Sequence, residues 1–226
     1  GENKHSLSVE GLNEAILATA FRVHGYHHTI IGDLVDLHSM TRDDLLGHYQ
    51  MHYRPANATL VVVGAFEIPE MLAKVERYFA PLPAHPQPEL FVREEPAQNG
   101  ERRVQVEQPG ITSFVTVAHR APSAAHPDWF KLEVLDSILT GQGASVDNKT
   151  SRLYKALVKS GVAADVDGGL SETIDPYLYN ITVTLNDGFT HAEAEAIIVD
   201  EIQRIQQEGI SDYELQKAIK QARAAF

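Results

Sequence analysis

The stretch from Tyr177 to Leu185 constrains the fold more than any other part of this chain. Tyr177, Tyr179, Ile181, Val183 and Leu185 fall at every second position, with Asn180, Thr182 and Thr184 between them. A period of two is the mark of a strand with one buried face. Val162–Val166 reads as a second strand just before it, and Arg102–Glu107 and Thr112–His119 read as two more. Helical patterns fill the gaps. They cover Asp128–Leu139, then Ser151–Lys159 ended by Gly161, and then His191–Gln207 and Ser211–Phe226, split by Gly209. The order is strand, strand, helix, helix, repeated once. Strands that follow strands pair antiparallel, so the expected class is α+β, not a doubly wound parallel sheet.

The first eighty residues give a different order. A helical pattern on Leu12, Ala15, Ile16, Thr19 and Ala20 ends near Val23, and His24 to Thr29 reads as a loop. Thr41 is placed to cap a helix, with Asp44 three residues on in the capping-box position, and that helix stops near Tyr53 ahead of Pro55. Thr59–Val63, ended by Gly64, reads as a buried strand. Pro69 sits in the first turn of a helix that ends near Phe79. These are the ingredients of the closing half of a unit like the second one. Five of the eleven prolines fall at 81, 83, 86, 88 and 96, which predicts an extended linker over 81–100. The expected plan is therefore 1–80, a linker over 81–100, and a complete unit over 101–226. Gly in place of Met at position 1, and a final helix without a stop signal, lead us to expect a piece of a longer protein.

Composition removes several function classes. The 226 residues contain no cysteine, which excludes a disulfide scaffold, a cysteine zinc site, an iron–sulfur centre and a cysteine nucleophile. Nineteen basic against 31 acidic residues give a net charge of −12, so nucleic acid is not an expected partner. Runs such as Leu60–Val63 and Ala196–Val199 are far too short to span a membrane.

No catalytic motif stands out. A zinc peptidase helix needs two His four apart and a Glu beside one of them to take a proton from the metal-bound water. Here no His has Glu on either side. His48 and His52 have ligand spacing on a helix but no third ligand, and surface histidines are the plainer reading. His24, His27 and His28 read as a polar loop packed on its neighbours. Gly141-x-Gly143 lacks the third glycine and the preceding strand of a dinucleotide fingerprint, and Asp147 spoils a serine-hydrolase elbow at Ser145. Asp43–Asp44 reads as charge at a helix start, Glu94–Glu95 as solvated linker, and Arg102–Arg103 as too short a basic patch for nucleic acid.

Four regions together carry a resemblance. They are Ala18-Thr-Ala-Phe-Arg-Val-His-Gly-Tyr-His-His-Thr-Ile-Ile-Gly32, Met40-Thr-Arg-Asp-Asp-Leu-Leu-Gly-His-Tyr49 and Tyr53-Arg-Pro-Ala-Asn-Ala-Thr-Leu-Val-Val-Val-Gly64. The fourth is Ser151-Arg-Leu-Tyr-Lys-Ala-Leu157, with Tyr213-Glu-Leu-Gln-Lys-Ala218 near the end. The chain resembles the pitrilysin/insulinase family of inverted-motif zinc metallopeptidases, which includes the mitochondrial processing peptidases. The resemblance implies metallopeptidase-type α/β units, each an antiparallel sheet with helices on one face. It places Gly1 just after the third zinc ligand. Glu2 and Glu10 lie near that position but are not assigned as ligands, so no zinc ligand and no general base are carried over.

The resemblance implies zinc in the parent protein and none in this piece. Its partners would be a peptide or unfolded protein substrate and a second half or partner subunit of the same family, with a homo-oligomer also open. The compartment would be bacterial cytoplasm or periplasm. Arg152 matches a substrate-gripping position of the family's partner half, but Ala163-Ala-Asp165 stands where the companion Tyr is expected. A helix-surface ion pair is then the plainer role for Arg152. The expected function is a fragment of a metalloendopeptidase that is inactive by itself. The alternative is a non-catalytic homologue that binds peptides or serves assembly.

Overall fold

The computed structural model describes residues 7–83, 91–141 and 149–225, with side chains over 11–83, 91–141 and 149–221. The chain divides into two units, one of residues 1–16 and 104–226 and one of residues 17–103.

The larger unit is α+β. Its sheet has three antiparallel strands, β1 (Phe114–Ala121), β2 (Ala163–Leu170) and β3 (Tyr177–Leu185), in the order β1-β3-β2. The alternating strand is the central one. Val117 lies opposite Ile181, and Val166 opposite Val183. Ile181 and Val183 are fully buried, and Tyr179 and Leu185 nearly so. The intervening Asn180, Thr182 and Thr184 form the other, half-buried face, where the hydroxyls of Thr116 and Thr182 lie 3.0 Å apart.

Helices cover the apolar face. α5 (Trp129–Leu139) and α6 (His191–Glu208) contact the strands and α7 (Asp212–Ala225) packs on α5, the helices being numbered in chain order. Ala194 and Ile198 of α6 and Leu153 and Leu157 of the segment before β2 join Ile181 and Val183 in one core. Thr190 accepts from the Glu193 amide, and Glu193 returns a bond to the Thr190 amide, which fixes the start of α6. Gly209 ends it at φ 76°, a conformation that disfavours side chains.

Two expected features of this unit are different. Arg102–Glu107 is not a strand. It gains no ladder, and Val104 and Val106 stay exposed. Ser151–Lys159 is not a regular α-helix either. Tyr154–Val158 forms a π-helical turn, with the Lys159 amide bonded to the Tyr154 carbonyl. Leu153 and Leu157, four residues apart on one face, are both fully buried.

The smaller unit contains the end of α1 (Leu7–Ala20), then α2 (Leu34–Ser39), α3 (Arg42–His52) and α4 (Ile68–Phe79). Thr41 and Asp44 form the expected capping box at α3. The helix α1 stops at Ala20 and does not run on to Val23. The Arg102 guanidinium takes the Thr19 and Ala20 carbonyls at 2.8 Å, and the Glu95 carboxylate takes the next three amides, of Arg22, Val23 and His24. A cation on the last carbonyls and an anion on the following amides terminate the helix. Glu95 is thus a capping residue and not a solvated linker charge. Thr59–Val63 is not a buried strand. Val61 is 74% and Val63 91% exposed, because no strand of this unit, among the described residues, offers it a ladder. Within 81–100, residues 84–90 lie outside the described set and the rest has neither helix nor strand.

Gly168 on β2 is placed by close approach. A Cβ there would lie 2.5 Å from Thr140 Cγ2 and 3.0 Å from Asp136 Oδ1. Gly168→Ala is expected to cost about 1–3 kcal/mol in urea unfolding, because the end of α5 must move away from the sheet. An unchanged midpoint would mean that α5 does not press on β2 in solution.

Candidate functional site

Arg152 stands at the start of the helical segment that leads into the π turn, where α6 and α7 meet. Its Nε donates to Glu214 Oε1 at 2.8 Å, and its Nη2 donates to Glu214 Oε2 at 3.0 Å and to the Gly209 carbonyl at 3.3 Å. The first two contacts make a bidentate fork, the geometry in which a guanidinium binds a carboxylate best. Glu214 is also the capping glutamate of α7. Its Oε2 accepts from the Ser211 amide at 2.9 Å, and the Ser211 hydroxyl accepts in turn from the Glu214 amide. One carboxylate therefore starts α7 and binds the preceding segment to it. Hydrogen bonds from Arg152, followed by those from Ser211, hold its pKa down at about 2. The same pair raises the pKa of Arg152.

A shallow cleft of about 400 Å³ opens beside this pair, lined by Arg152, Lys155, Ala156, Glu201, Arg204 and Glu208. Its charges largely answer one another. Glu201 is buried and accepts from Arg204 at 2.7 Å. Further along α7, Lys217 donates to the Thr150 hydroxyl. The cleft is lined by charge of both signs and carries no nucleophile with an adjacent base.

The histidine candidates do not build a metal site. His48 and His52 do share a face, with ring centroids 4.4 Å apart. Among the described residues, though, no group of three or more His, Asp or Glu is placed to hold a metal ion. His24 is buried. Its Nδ1 accepts from the Tyr26 amide at 3.1 Å, and its ring packs on Tyr26 and Phe21. His27 and His28 face each other at 4.5 Å. Of the three, His24 is buried, while His27 and His28 are exposed. Asp43 is exposed beside Arg42, and Asp44 caps α3. Gly143 and Ser145 lie outside the described residues, as do Glu2 and the side chain of Glu10.

Sequence reasoning missed Glu214, although its signal was present. Ser211-Asp-Tyr-Glu214 is a capping box ahead of a helix. It also missed a buried carboxylate, Asp136 on α5, whose Oδ1 accepts from the Thr140 hydroxyl at 2.6 Å and the Tyr179 hydroxyl at 2.8 Å. Nothing in local spacing links positions 136 and 179.

The larger unit is thus an α+β layer, the sequence lacks the inverted zinc motif, and the described residues hold no metal-binding cluster. The chain belongs to the peptidase M16 family, whose inactive domain matches residues 39–222. It is 27% identical over 218 residues to the zinc protease PqqE of Helicobacter pylori, covering 92% of this chain and 46% of that protein. It is 29% identical over 169 residues to core protein I of the mitochondrial ubiquinol–cytochrome-c reductase complex of Euglena gracilis, covering 74% of this chain and 33% of that protein. The crystal structure of a protease from Helicobacter pylori superposes with a TM-score of 0.84 at 25% identity, covering 96% of this chain and 52% of that one. The chain thus spans about half the length, or less, of these relatives. No helix among the described residues is long and apolar enough to cross a membrane.

The Arg152–Glu214 pair makes a signed prediction. A carboxylate with a depressed pKa contributes stability that is complete above its ordinary value of 4.5 and lost as pH falls toward about 2. Glu214→Gln is expected to cost about 1–2 kcal/mol at pH 7, from the cap and the charged hydrogen bonds together, after allowance for solvent screening. The gap between wild type and variant should narrow in urea melts at pH 3. A gap of equal size at both pH values would show that the ionised pair is not its source.

Proposed function

We propose that this chain is part of a longer zinc metalloendopeptidase. Residues 1–80 would complete the zinc-bearing unit, 81–100 would link, and 101–226 would form the second, non-catalytic unit that walls a peptide chamber. The observation that carries this reading is the inactive-domain match over 39–222 in a chain with no H-x-x-E-H. In the whole protein zinc would be held by residues outside this chain and would supply the Lewis acid for peptide-bond hydrolysis. The chain's own contribution is to shape and enclose. A peptide or unfolded protein would be the substrate, with a second half or partner subunit of the family closing the chamber. Bacterial cytoplasm or periplasm would be the compartment. The likeness to the zinc protease PqqE of Helicobacter pylori supports this direction.

Arg152 takes a holding role in this reading. Its fork is filled by Glu214, and gripping substrate would require giving up two charged hydrogen bonds. A second reading, a non-catalytic assembly subunit, is favoured by the likeness to core protein I of a respiratory complex.

Elemental analysis separates the two readings. After dialysis against trace zinc, this chain should hold none, whereas the polypeptide extended upstream of Gly1 should hold about one zinc per chain and cleave unfolded peptides. Zinc absent from both would sink the peptidase reading and leave the assembly subunit. Stoichiometric zinc on this chain alone would overturn the negative assignment and point to His48 and His52 or to the 24–28 loop.

A further inference from the structure

Two side chains at the end of α1 hold the same backbone groups that one more turn of helix would use. The last helical bond of α1 runs from the Phe21 amide to the Leu17 carbonyl, at 2.9 Å. In a helix each amide donates to the carbonyl four residues back. Continued by that rule, Arg22 would bond Ala18, Val23 would bond Thr19 and His24 would bond Ala20. Residues 21–24 instead carry no helical turn. The Glu95 carboxylate accepts from the Arg22 amide at 2.8 and 2.9 Å, from Val23 at 2.9 Å and from His24 at 3.1 Å. Arg102 Nη1 donates to the Thr19 and Ala20 carbonyls, each at 2.8 Å. The three donors of the missing turn are thus held by an anion, and two of its three acceptors by a cation.

The two ties differ in what they exclude. An amide has one proton, so an amide held by Glu95 is lost to the helix. A carbonyl oxygen has two lone pairs, so it can accept from Arg102 and from an amide together. Glu95 is therefore the tie that blocks the turn, and Arg102 the tie that tolerates it. The local sequence favours the longer helix. The helical pattern of α1 runs to near Val23, and neither Arg22 nor Val23 is a helix breaker. Leu17 and Phe21, 5% and 1% exposed, anchor the helix ahead of the contested turn. Both ties come from residues 91–103, a stretch without helix or strand that overlaps the proline-rich connection.

We propose that residues 91–103 are a strap that sets the length of α1: docked through Glu95 and Arg102 it stops the helix at Ala20, and released it lets Arg22 and Val23 join the helix, with His24 as its cap. The docked strap and the longer helix compete for the same three amides, so the coupling runs in both directions. Drawing the strap away lengthens α1, and lengthening α1 expels the strap. The device reports the position of the connection as a change in helix length. It depends only on residues of this chain and does not rest on the peptidase reading.

The test uses the full chain. ¹³Cα shifts and amide exchange at Arg22, Val23 and His24 are compared in the wild type, Glu95→Ala and Arg102→Ala. Wild type is expected to show non-helical shifts at Arg22 and Val23. In Glu95→Ala both should move downfield into the helical range, with the three amides still exchanging slowly because they have passed from the carboxylate to the helix. Arg102→Ala should leave both residues non-helical, since Glu95 still holds the amides. A cap with no alternative state behaves differently: its loss gives coil shifts and fast exchange over 22–24. That result in Glu95→Ala overturns the proposal. So do wild-type shifts in Glu95→Ala, or an Arg102→Ala variant that lengthens the helix as Glu95→Ala does. Glu95→Gln, which keeps the size and one acceptor oxygen, is the second variant if Glu95→Ala does not fold. It should move the same shifts in the same direction by less, and coil or unchanged shifts there overturn the proposal equally.

Discussion

The larger unit depends on the burial of one strand from both sides. β3 is hydrogen-bonded along its length to β1 and to β2, so neither outer strand has a sheet without it. Its inward row of Tyr179, Ile181, Val183 and Leu185 is also the floor on which the helices rest. Shifting its register by one residue would send that row to the opposite face and bring Thr182 and Thr184 under α6. The alternation of side chains thus fixes the sheet, the helix layer and the position of the end of α5 together.

Two carboxylates then organise the helices, in opposite ways. Glu214 is paired and capped, and its charge is an asset. Asp136 is buried near other acids, which disfavours its charge, and the Thr140 and Tyr179 hydroxyls donate to it. Neither belongs to a catalytic constellation. Both serve to hold helices in place.

Much of this was legible in the sequence, for physical reasons. The strand over Tyr177–Leu185 was visible because its period is local, and the start of α3 because a capping box spans only four residues. The family was visible because several motifs recur in order along the chain. What could not be read locally was decided by distant partners. Thr59–Val63 has a strand's composition, but a strand exists only when another supplies its ladder. The end of α1 is set by Glu95 and Arg102, more than seventy residues away. Asp136 owes its Tyr179 partner to β3, forty-three residues on, and no local spacing announces it. The π turn over Tyr154–Val158 has no local sequence signature.

The strand order has a consequence for how the chain is made. The two outer strands come first in the sequence and the middle one last. As the polypeptide leaves the ribosome, β1 and β2 are synthesised with no place to bind, and the sheet closes only when Leu185 has emerged. Until then the apolar rows of both strands are open to whatever they meet. Exposed apolar rows of this kind are what favour aggregation during synthesis, so the interval before β3 is complete is the one in which this sheet has that exposure.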